Sequence, residues 1–143
     1  MTQEVKLRVR GAQLQGGGPE DTVEVVSVGQ MYEKDGFLCL NYEEVVDENE
    51  SGVVQVVKNL MKIRDDQVEV IKKGPTKSHM VFVPERSTYT YYSTPIGEIE
   101  VSIFTRQIQR EKTTNGFHLM LQYDLEMNQT FISQCNVDIV VEQ

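Results

Sequence analysis

Alternation of apolar and polar residues is the dominant pattern along the chain. It is clearest after Gly116, where every second residue is apolar: Phe117, Leu119, Leu121, Tyr123, Leu125 and Met127. Polar residues such as His118 and Gln122 occupy most positions between them. A period of two is typical of a β-strand with one buried face and one wet face. The alternation recurs along the rest of the sequence, which therefore predicts a protein built of strands.

Turn residues divide this pattern into ten predicted strands. Asp35-Gly36 and the Asn-Gly pair at 115–116 favour tight hairpin turns, because such turns need residues that tolerate positive φ. Pro95 and Gly97 suit the second and fourth positions of a β-turn inside a hairpin over 87–110. In the last strand Phe131, Ser133, Cys135, Val137, Ile139 and Val141 are predicted to share a face. The predicted strands span about 4–15, 22–33, 37–46, 53–64, 67–73, 77–83, 87–110 (two strands), 117–127 and 130–142.

The strand pattern predicts an all-β fold. No segment has apolar residues at helical spacing over a useful length, and the strands are half apolar, which favours antiparallel pairing with one face on a core. So many strands need protected edges, and closure into a barrel removes edges. We expect one domain over residues 1–143, an antiparallel up-and-down β-barrel of 8–10 strands, with a two-sheet sandwich as the alternative.

Composition restricts the possible partners and compartment. The chain has 143 residues, of which 39% are hydrophobic, and a net charge of −8. This charge argues against nucleic-acid binding, because phosphate backbones would repel the protein. No apolar segment is long enough for export or for a membrane helix, so we expect a cytoplasmic protein without membrane contact. Cys39 and Cys135 are then expected to be buried free thiols rather than a disulfide.

Two segments resemble ligand-binding loops only in part. Gly16-Gly17-Gly18-Pro19 is not followed by the Lys-Ser or Lys-Thr of a phosphate-binding loop, so we interpret it as a loop. The segment 47–52 matches four positions of a calcium-binding EF-hand loop, but the twelfth position is Lys58 instead of a carboxylate. The residues after Gly52 are also β-branched where a helix should begin. An acidic turn is the preferred interpretation.

Four segments together resemble the YwiB-like family of small bacterial proteins. They are Leu40-Asn-Tyr-Glu-Glu44, Val68-Glu-Val-Ile-Lys-Lys-Gly74, Thr94-Pro-Ile-Gly97 continuing to Thr105, and Tyr123-Asp-Leu125. The resemblance covers about Val23 to Val141. It implies a calycin-type, lipocalin-like β-barrel and a bacterial cytosolic setting, and it implies no catalytic residues. The Gly-x-Trp signature of true lipocalins is absent, since the chain has no Trp.

The sequence contains no recognisable catalytic grouping. Its two histidines, His79 and His118, are far apart in strand segments, and no His-x-His, Cys-x-x-Cys or Gly-x-Ser-x-Gly motif occurs. The adjacent carboxylates Glu43 and Glu44 should point to opposite faces of a strand and so cannot share a site. We therefore expect no metal site, no cofactor and no enzymatic activity.

The interior of the predicted barrel is the natural place for a ligand, because a barrel of about eight strands can hold one small molecule. Polar residues in the inward phase could orient such a ligand or could be hydrogen-bonded within a filled core. The main functional hypothesis is a non-enzymatic binder of a small, largely apolar molecule. The alternative is a protein–protein interaction module with a filled barrel, and the oligomeric state stays open. The inward polar candidates are Tyr42, Asn59, Thr105, Tyr123 and Ser133.

Overall fold

The computed structural model describes residues 2–14, 21–48, 53–74, 77–94 and 97–143. The predicted loop at 16–19, most of the acidic turn at 47–52, and Pro95 lie outside these residues. Within them, no helix is long and apolar enough to cross a membrane. The strands are β1 (Gln3–Leu14), β2 (Asp21–Lys34), β3 (Phe37–Glu48), β4 (Val53–Ile63), β5 (Val68–Lys73), β6 (Ser78–Phe82), β7 (Ser87–Thr94), β8 (Gly97–Thr113), β9 (Gly116–Met127) and β10 (Thr130–Glu142).

All ten strands belong to one antiparallel sheet that curls into a nearly closed barrel. Strands adjacent in sequence are hydrogen-bonded neighbours, except β6 and β7, and β1 pairs with β10. The terminal strands β6 and β7 lie side by side, where the Thr88 hydroxyl donates a hydrogen bond to the Val81 carbonyl oxygen. The up-and-down barrel predicted from the sequence is confirmed. It is joined along β6 and β7 by side-chain contact instead of a strand ladder over the described residues.

The two ends of the barrel are distinguished by their turns. We call the end that carries the β2–β3 turn the lower end and the end that carries the β9–β10 turn the upper end. Asp35 and Gly36 form the lower turn with φ of 53° and 81°, as expected for a two-residue hairpin. Asn128 and Gln129 form the upper turn with φ of 48° and 66°. Gln129 has a left-handed backbone conformation that residues other than Gly, Asn and Asp seldom adopt.

The core consists of the inward-facing residues of the strands. Burying each such aliphatic side chain contributes roughly 1.5–3 kcal/mol, so the alternation seen in the sequence is the main source of stability. The fully buried positions come from strands all around the barrel, so the wall closes on one core. The largest of them are Leu7, Leu40, Ile63, Ile103, Leu119, Leu121 and Ile139.

The predicted inward face of β10 is wrong for the first residues of the strand. Phe131 was expected to point inward with Ser133, but its side chain is 51% exposed. The pairing with β9 shifts between Phe131 and Ser133, so Ile132 is an extra residue in the strand. A bulge of this kind reverses the phase of every side chain before it. Residues from Ser133 onward keep the predicted phase, and Ser133 is fully buried.

The two cysteines are buried and unpaired, as predicted. Cys135 is on the inward face of β10, and Cys39 is in the outward phase of β3. Burial raises the pKa of the Cys39 thiol. The nearby Lys62 ammonium lies over the ring of Phe37, 4.7 Å from its centroid, and contributes to covering this part of the outer surface.

Candidate functional site

A cavity of about 210 Å³ lies inside the barrel towards its upper end. It is formed by side chains of eight strands, which is possible because inward-facing residues from all sides of a barrel converge on one axis. Most of the lining is aliphatic or aromatic. The lining residues are Val9, Gly11, Val25, Tyr42, Glu44, Met61, Val70, Lys72, Met80, Phe82, Leu121, Tyr123, Val137 and Ile139.

Two tyrosines supply polar groups in this apolar cavity. Burial raises the pKa of the Tyr42 phenol, and the charge of Glu44 adds to the shift. Burial also raises the pKa of Tyr123, with a further contribution from Cys135. The Tyr123 ring packs against Phe82, with ring centroids 4.8 Å apart. Both phenols therefore keep their protons at neutral pH and can donate hydrogen bonds.

One ion pair contributes all the charge that the described residues bring to the cavity lining. The Glu44 carboxylate lies 3.1 Å from the Lys72 ammonium. The two side chains are partly exposed, at 18% and 35%, and so belong to the more open part of the cavity. Because the charges neutralise each other, an ionic ligand would have to compete with this pair.

The five polar residues predicted from the sequence all point inward, but only two of them share the cavity. Tyr42 and Tyr123 line it. Ser133 lies beside Cys135, with Oγ 3.5 Å from Sγ. Thr105 faces Tyr123 across the β8–β9 ladder and is fully buried.

Two hydroxyl or amide groups in this set lack partners. Neither Thr105 Oγ1 nor the side-chain oxygen of Asn59 has a hydrogen bond among the described residues. Asn59 lies opposite Tyr42 in the β3–β4 ladder and faces a depression in the wall instead of the cavity. Whether any of the five residues contacts a ligand stays a prediction.

Sequence reasoning missed three residues that line the cavity, although their signals were present. Glu44 continues the inward phase of Leu40 and Tyr42, and Lys72 continues that of Val70. Charged residues in an inward phase indicate the open part of a barrel or an internal ion pair. Gly11 has no side chain and so interrupts the apolar phase of β1. A Cβ added at Gly11 would meet no atom within 4 Å.

The histidines are on the outer surface, each beside a carboxylate. His79 Nε2 lies 3.1 Å from Glu69, and His118 Nε2 lies 3.0 Å from Asp138. Within the described ranges, no three His, Cys, Asp or Glu side chains are placed to hold a metal ion together. Glu43 is exposed while Glu44 lines the cavity, so the two carboxylates face opposite sides as predicted.

Comparison with known proteins shows the family to which this barrel belongs. A family described as "Domain of unknown function (DUF1934)" matches residues 7–139, which is nearly the whole chain. The chain belongs to the DUF1934 family. One relative is the "Uncharacterized beta-barrel protein YwiB" of Bacillus subtilis (strain 168). It is 26% identical over 123 residues, which cover 86% of this chain and 82% of the relative.

A solved structure supports the barrel fold of this DUF1934 protein. The crystal structure of the ywiB protein from Bacillus subtilis aligns with a TM-score of 0.73 at 22% identity. The alignment covers 99% of this chain and 94% of that chain. The similarity to the YwiB-like family inferred from four sequence segments is thereby confirmed.

Proposed function

We propose that the protein is a non-enzymatic binder of a small, largely apolar molecule held inside the barrel. The observation that supports this proposal is the cavity of about 210 Å³. An apolar cavity of about 150 Å³ is enough to bind benzene. Pockets for drug-sized molecules begin at about 300 Å³. The expected ligand is therefore a molecule with one ring or a short chain.

The polar groups of the cavity favour a neutral ligand with a hydrogen-bond acceptor. Tyr42 offers a protonated phenol, which can donate to a carbonyl, ether or hydroxyl oxygen, and Tyr123 offers a second one that also interacts with Cys135. Glu44 and Lys72 already neutralise each other, so neither charge is free for an ionic ligand. The aliphatic lining supplies the main driving force through burial of apolar surface.

The same groups support binding without catalysis. A phenol with a raised pKa is a weak acid at neutral pH, which makes Tyr42 and Tyr123 poor proton donors for chemistry but good hydrogen-bond donors. The Glu44 carboxylate already accepts a charge-assisted hydrogen bond from Lys72. Orientation of a bound molecule is the role we assign to these residues.

The setting we propose is the bacterial cytoplasm. The two buried cysteines are unpaired, which fits a reducing compartment. The net charge of −8 fits a protein without affinity for nucleic acid or for anionic membrane surfaces. The alternative of an interaction module with a filled barrel has less support as the main function, because the upper interior is not filled.

Native mass spectrometry of protein purified from its own host tests the proposal directly, since a retained small molecule would appear as added mass. A binding test with a chosen probe complements it. Fluorobenzene and 4-fluoroanisole, followed by ¹⁹F NMR, match the volume of the cavity. Both the unmodified protein and the Gly11→Ala variant are expected to bind these probes. They should bind 4-fluoroanisole more tightly than fluorobenzene, because 4-fluoroanisole has an acceptor oxygen.

The variant Gly11→Leu should abolish this binding. The position points into the cavity, and a Cβ there meets no atom within 4 Å, so a larger side chain can fill the cavity without disturbing the wall. Equal binding by Gly11→Leu and Gly11→Ala, in proteins of equal melting temperature, would show that the probe binds elsewhere and would contradict the proposal.

A further inference from the structure

The wall of the barrel has a notch between β2 and β3. These strands pair over five positions near the lower end, and the pairing ends with Gln30 opposite Asn41. Above this point β2 continues to pair with β1, and β3 continues to pair with β4. Over the described residues, the facing edges of β2 and β3 therefore have no ladder hydrogen bonds above Gln30 and Asn41. Strand edges of this kind are sites where other chains can pair.

Gly29 lies where the pairing stops. A Cβ atom at this position would be 2.4 Å from the carbonyl oxygen of Asn41 and 2.7 Å from a methyl group of Leu7. Only glycine allows so close an approach of the β2 backbone. Beyond Gly29 a side chain replaces the ladder, since the Ser27 hydroxyl donates to the Glu43 carbonyl oxygen at 3.0 Å.

The notch is a depression of about 720 Å³ with apolar lips and a polar floor. Val28 and Val45 form the lips, with side chains that are 65% and 71% exposed. The lining of the depression includes both inward-facing and outward-facing residues of β2 and β3. The depression therefore extends into the barrel wall instead of lying on its outer surface. Its lining also includes Glu4, Ser27, Gly29, Gln30, Asn41, Tyr42, Glu43, Lys58 and Asn59.

Asn59 provides an acceptor without a partner in the lining of the notch. Its side chain is 3% exposed, and its Nδ2 donates to the Val57 carbonyl oxygen at 3.4 Å. A carbonyl can only accept, so this bond fixes the amide with its nitrogen towards Val57. The amide oxygen is then left without a hydrogen bond among the described residues. This oxygen exposes less than 1 Å² to solvent, so a ligand in the notch would reach it only after the Asn59 side chain moves.

The charge around the notch is negative. Glu4 and Glu43 are exposed and line it, and in the described part of the chain neither forms an ion pair. Lys58 lies opposite Glu43 in the β3–β4 ladder and is the one cation that the described residues place in the lining. The chain as a whole carries a net charge of −8. A cationic group is therefore attracted to the notch.

We propose that the notch binds an arginine side chain presented by an extended segment of a partner protein. A guanidinium group has five donors and no acceptor, which suits the two carboxylates of the lining, Glu4 and Glu43. Apolar neighbours of the arginine would contact Val28 and Val45. Apart from the Glu43 carbonyl, which accepts from Ser27, the edges of β2 and β3 above Gln30 and Asn41 have no ladder partners across the notch among the described residues and can offer backbone hydrogen bonds to an extended segment. This site is distinct from the interior cavity, although Tyr42 lines both.

A pair of peptides tests the proposal. Acetyl-Val-Arg-Val-amide and acetyl-Val-citrulline-Val-amide have nearly the same shape, but only the first is charged. Titration of ¹⁵N-labelled protein should shift the backbone amides of 27–30, 41–45 and 58–59 with the arginine peptide. The citrulline peptide should bind at least about fivefold more weakly, because a charge-assisted hydrogen bond is roughly twice as strong as a neutral one. Equal shifts from both peptides, or shifts confined to other residues, would overturn the proposal.

Matched carboxylate variants make the test specific. Glu43→Gln should weaken binding of the arginine peptide about fivefold. Glu126→Gln, at an exposed position on β9, makes the same change in net charge and should leave binding unaltered. If both variants weakened peptide binding equally, the effect would come from net charge alone, and a site at the notch would be contradicted. Sedimentation analysis completes the design, because a dimer that Glu43→Gln dissociates would identify the occupant as a second copy of the chain.

Discussion

The Glu44 carboxylate and the Lys72 ammonium are 3.1 Å apart, although they belong to strands β3 and β5, which are separated by β4. Both side chains extend across the inner face of β4 at the open part of the cavity. The pair thus links two strands that share no backbone hydrogen bonds. Among the described residues it also supplies the only charges in the cavity lining, and the two charges neutralise each other.

Removing the carboxylate should change which ligands the cavity accepts. In Glu44→Gln the Lys72 ammonium loses its counter-ion, so the lining becomes positive and attracts anions. The affinity for 4-fluorobenzoate relative to 4-fluorobenzamide should rise about tenfold, which corresponds to 1.4 kcal/mol. ¹⁹F NMR titration measures both ligands.

Glu69→Gln is the matched control for this selectivity change. Glu69 lies near Lys62 and His79 on the outside of the barrel, so its removal changes the net charge equally without altering the cavity. An unchanged affinity ratio in Glu44→Gln would show that the ion pair does not control selectivity.

The glycine at the end of the β2–β3 pairing should be intolerant of a methyl group. Gly29→Ala places a Cβ against the Asn41 carbonyl oxygen and Leu7, and relief of such overlap requires movement of the backbone. We expect a loss of about 1–3 kcal/mol in the free energy of unfolding, measured by urea denaturation. Gly11→Ala is the control, because its new methyl group meets no atom within 4 Å and should leave stability within about 0.5 kcal/mol. Equal stability of the two variants is the outcome that excludes a steric role for Gly29.

Thr105 should be replaceable by valine with a gain in stability. Its hydroxyl is fully buried and has no hydrogen bond among the described residues, so folding removes it from water without compensation. Thr105→Val keeps the shape and should raise the free energy of unfolding by about 1 kcal/mol. In contrast, Ser133→Ala removes a hydroxyl that has a partner, Cys135, and should give no gain. If the valine variant is less stable, Thr105 must have a partner such as a buried water or a ligand.

The two buried tyrosines should make the protein less stable at alkaline pH. The pKa values of Tyr42 and Tyr123 are raised above the ordinary value of 10.0, so the folded state holds these protons when the unfolded chain releases them. The contribution of the protonated phenols to the free energy of unfolding is fully present below pH 10 and is lost as the pH rises above 10. The slope is up to about 1.4 kcal/mol per pH unit for each tyrosine.

Urea denaturation between pH 8 and pH 11.5 measures this effect by comparing the protein with Tyr42→Phe and Tyr123→Phe variants. Above pH 10, the free energy of unfolding of each variant should increase relative to that of the unmodified protein. A difference that does not depend on pH would mean that the phenols ionise as readily in the folded protein as in the unfolded chain.

The strands and most of their faces could be predicted from the amino-acid pattern, because both depend mainly on local chemistry. Burial of every second residue can be read from residues 117–127 without any knowledge of pairing. Asp35-Gly36 specified its turn through its tolerance of positive φ. The error at Phe131 occurred where Ile132 adds a residue to one strand, and such an insertion depends on the partner strand as well.

The places where polar side chains meet could not be predicted from the pattern, because they depend on how the whole sheet folds. Glu44 and Lys72 are 28 residues apart in sequence and come together across an intervening strand. Tyr42 and Tyr123 share a cavity only because β1 pairs with β10 and brings the two halves of the chain around one axis. The notch begins where the pairing of β2 with β3 ends, next to Gly29, which packs against the Asn41 carbonyl too closely for a Cβ. Periodicity fixes the direction in which each residue points, whereas contacts between distant residues depend on strand order, register and curvature, which are properties of the whole sheet.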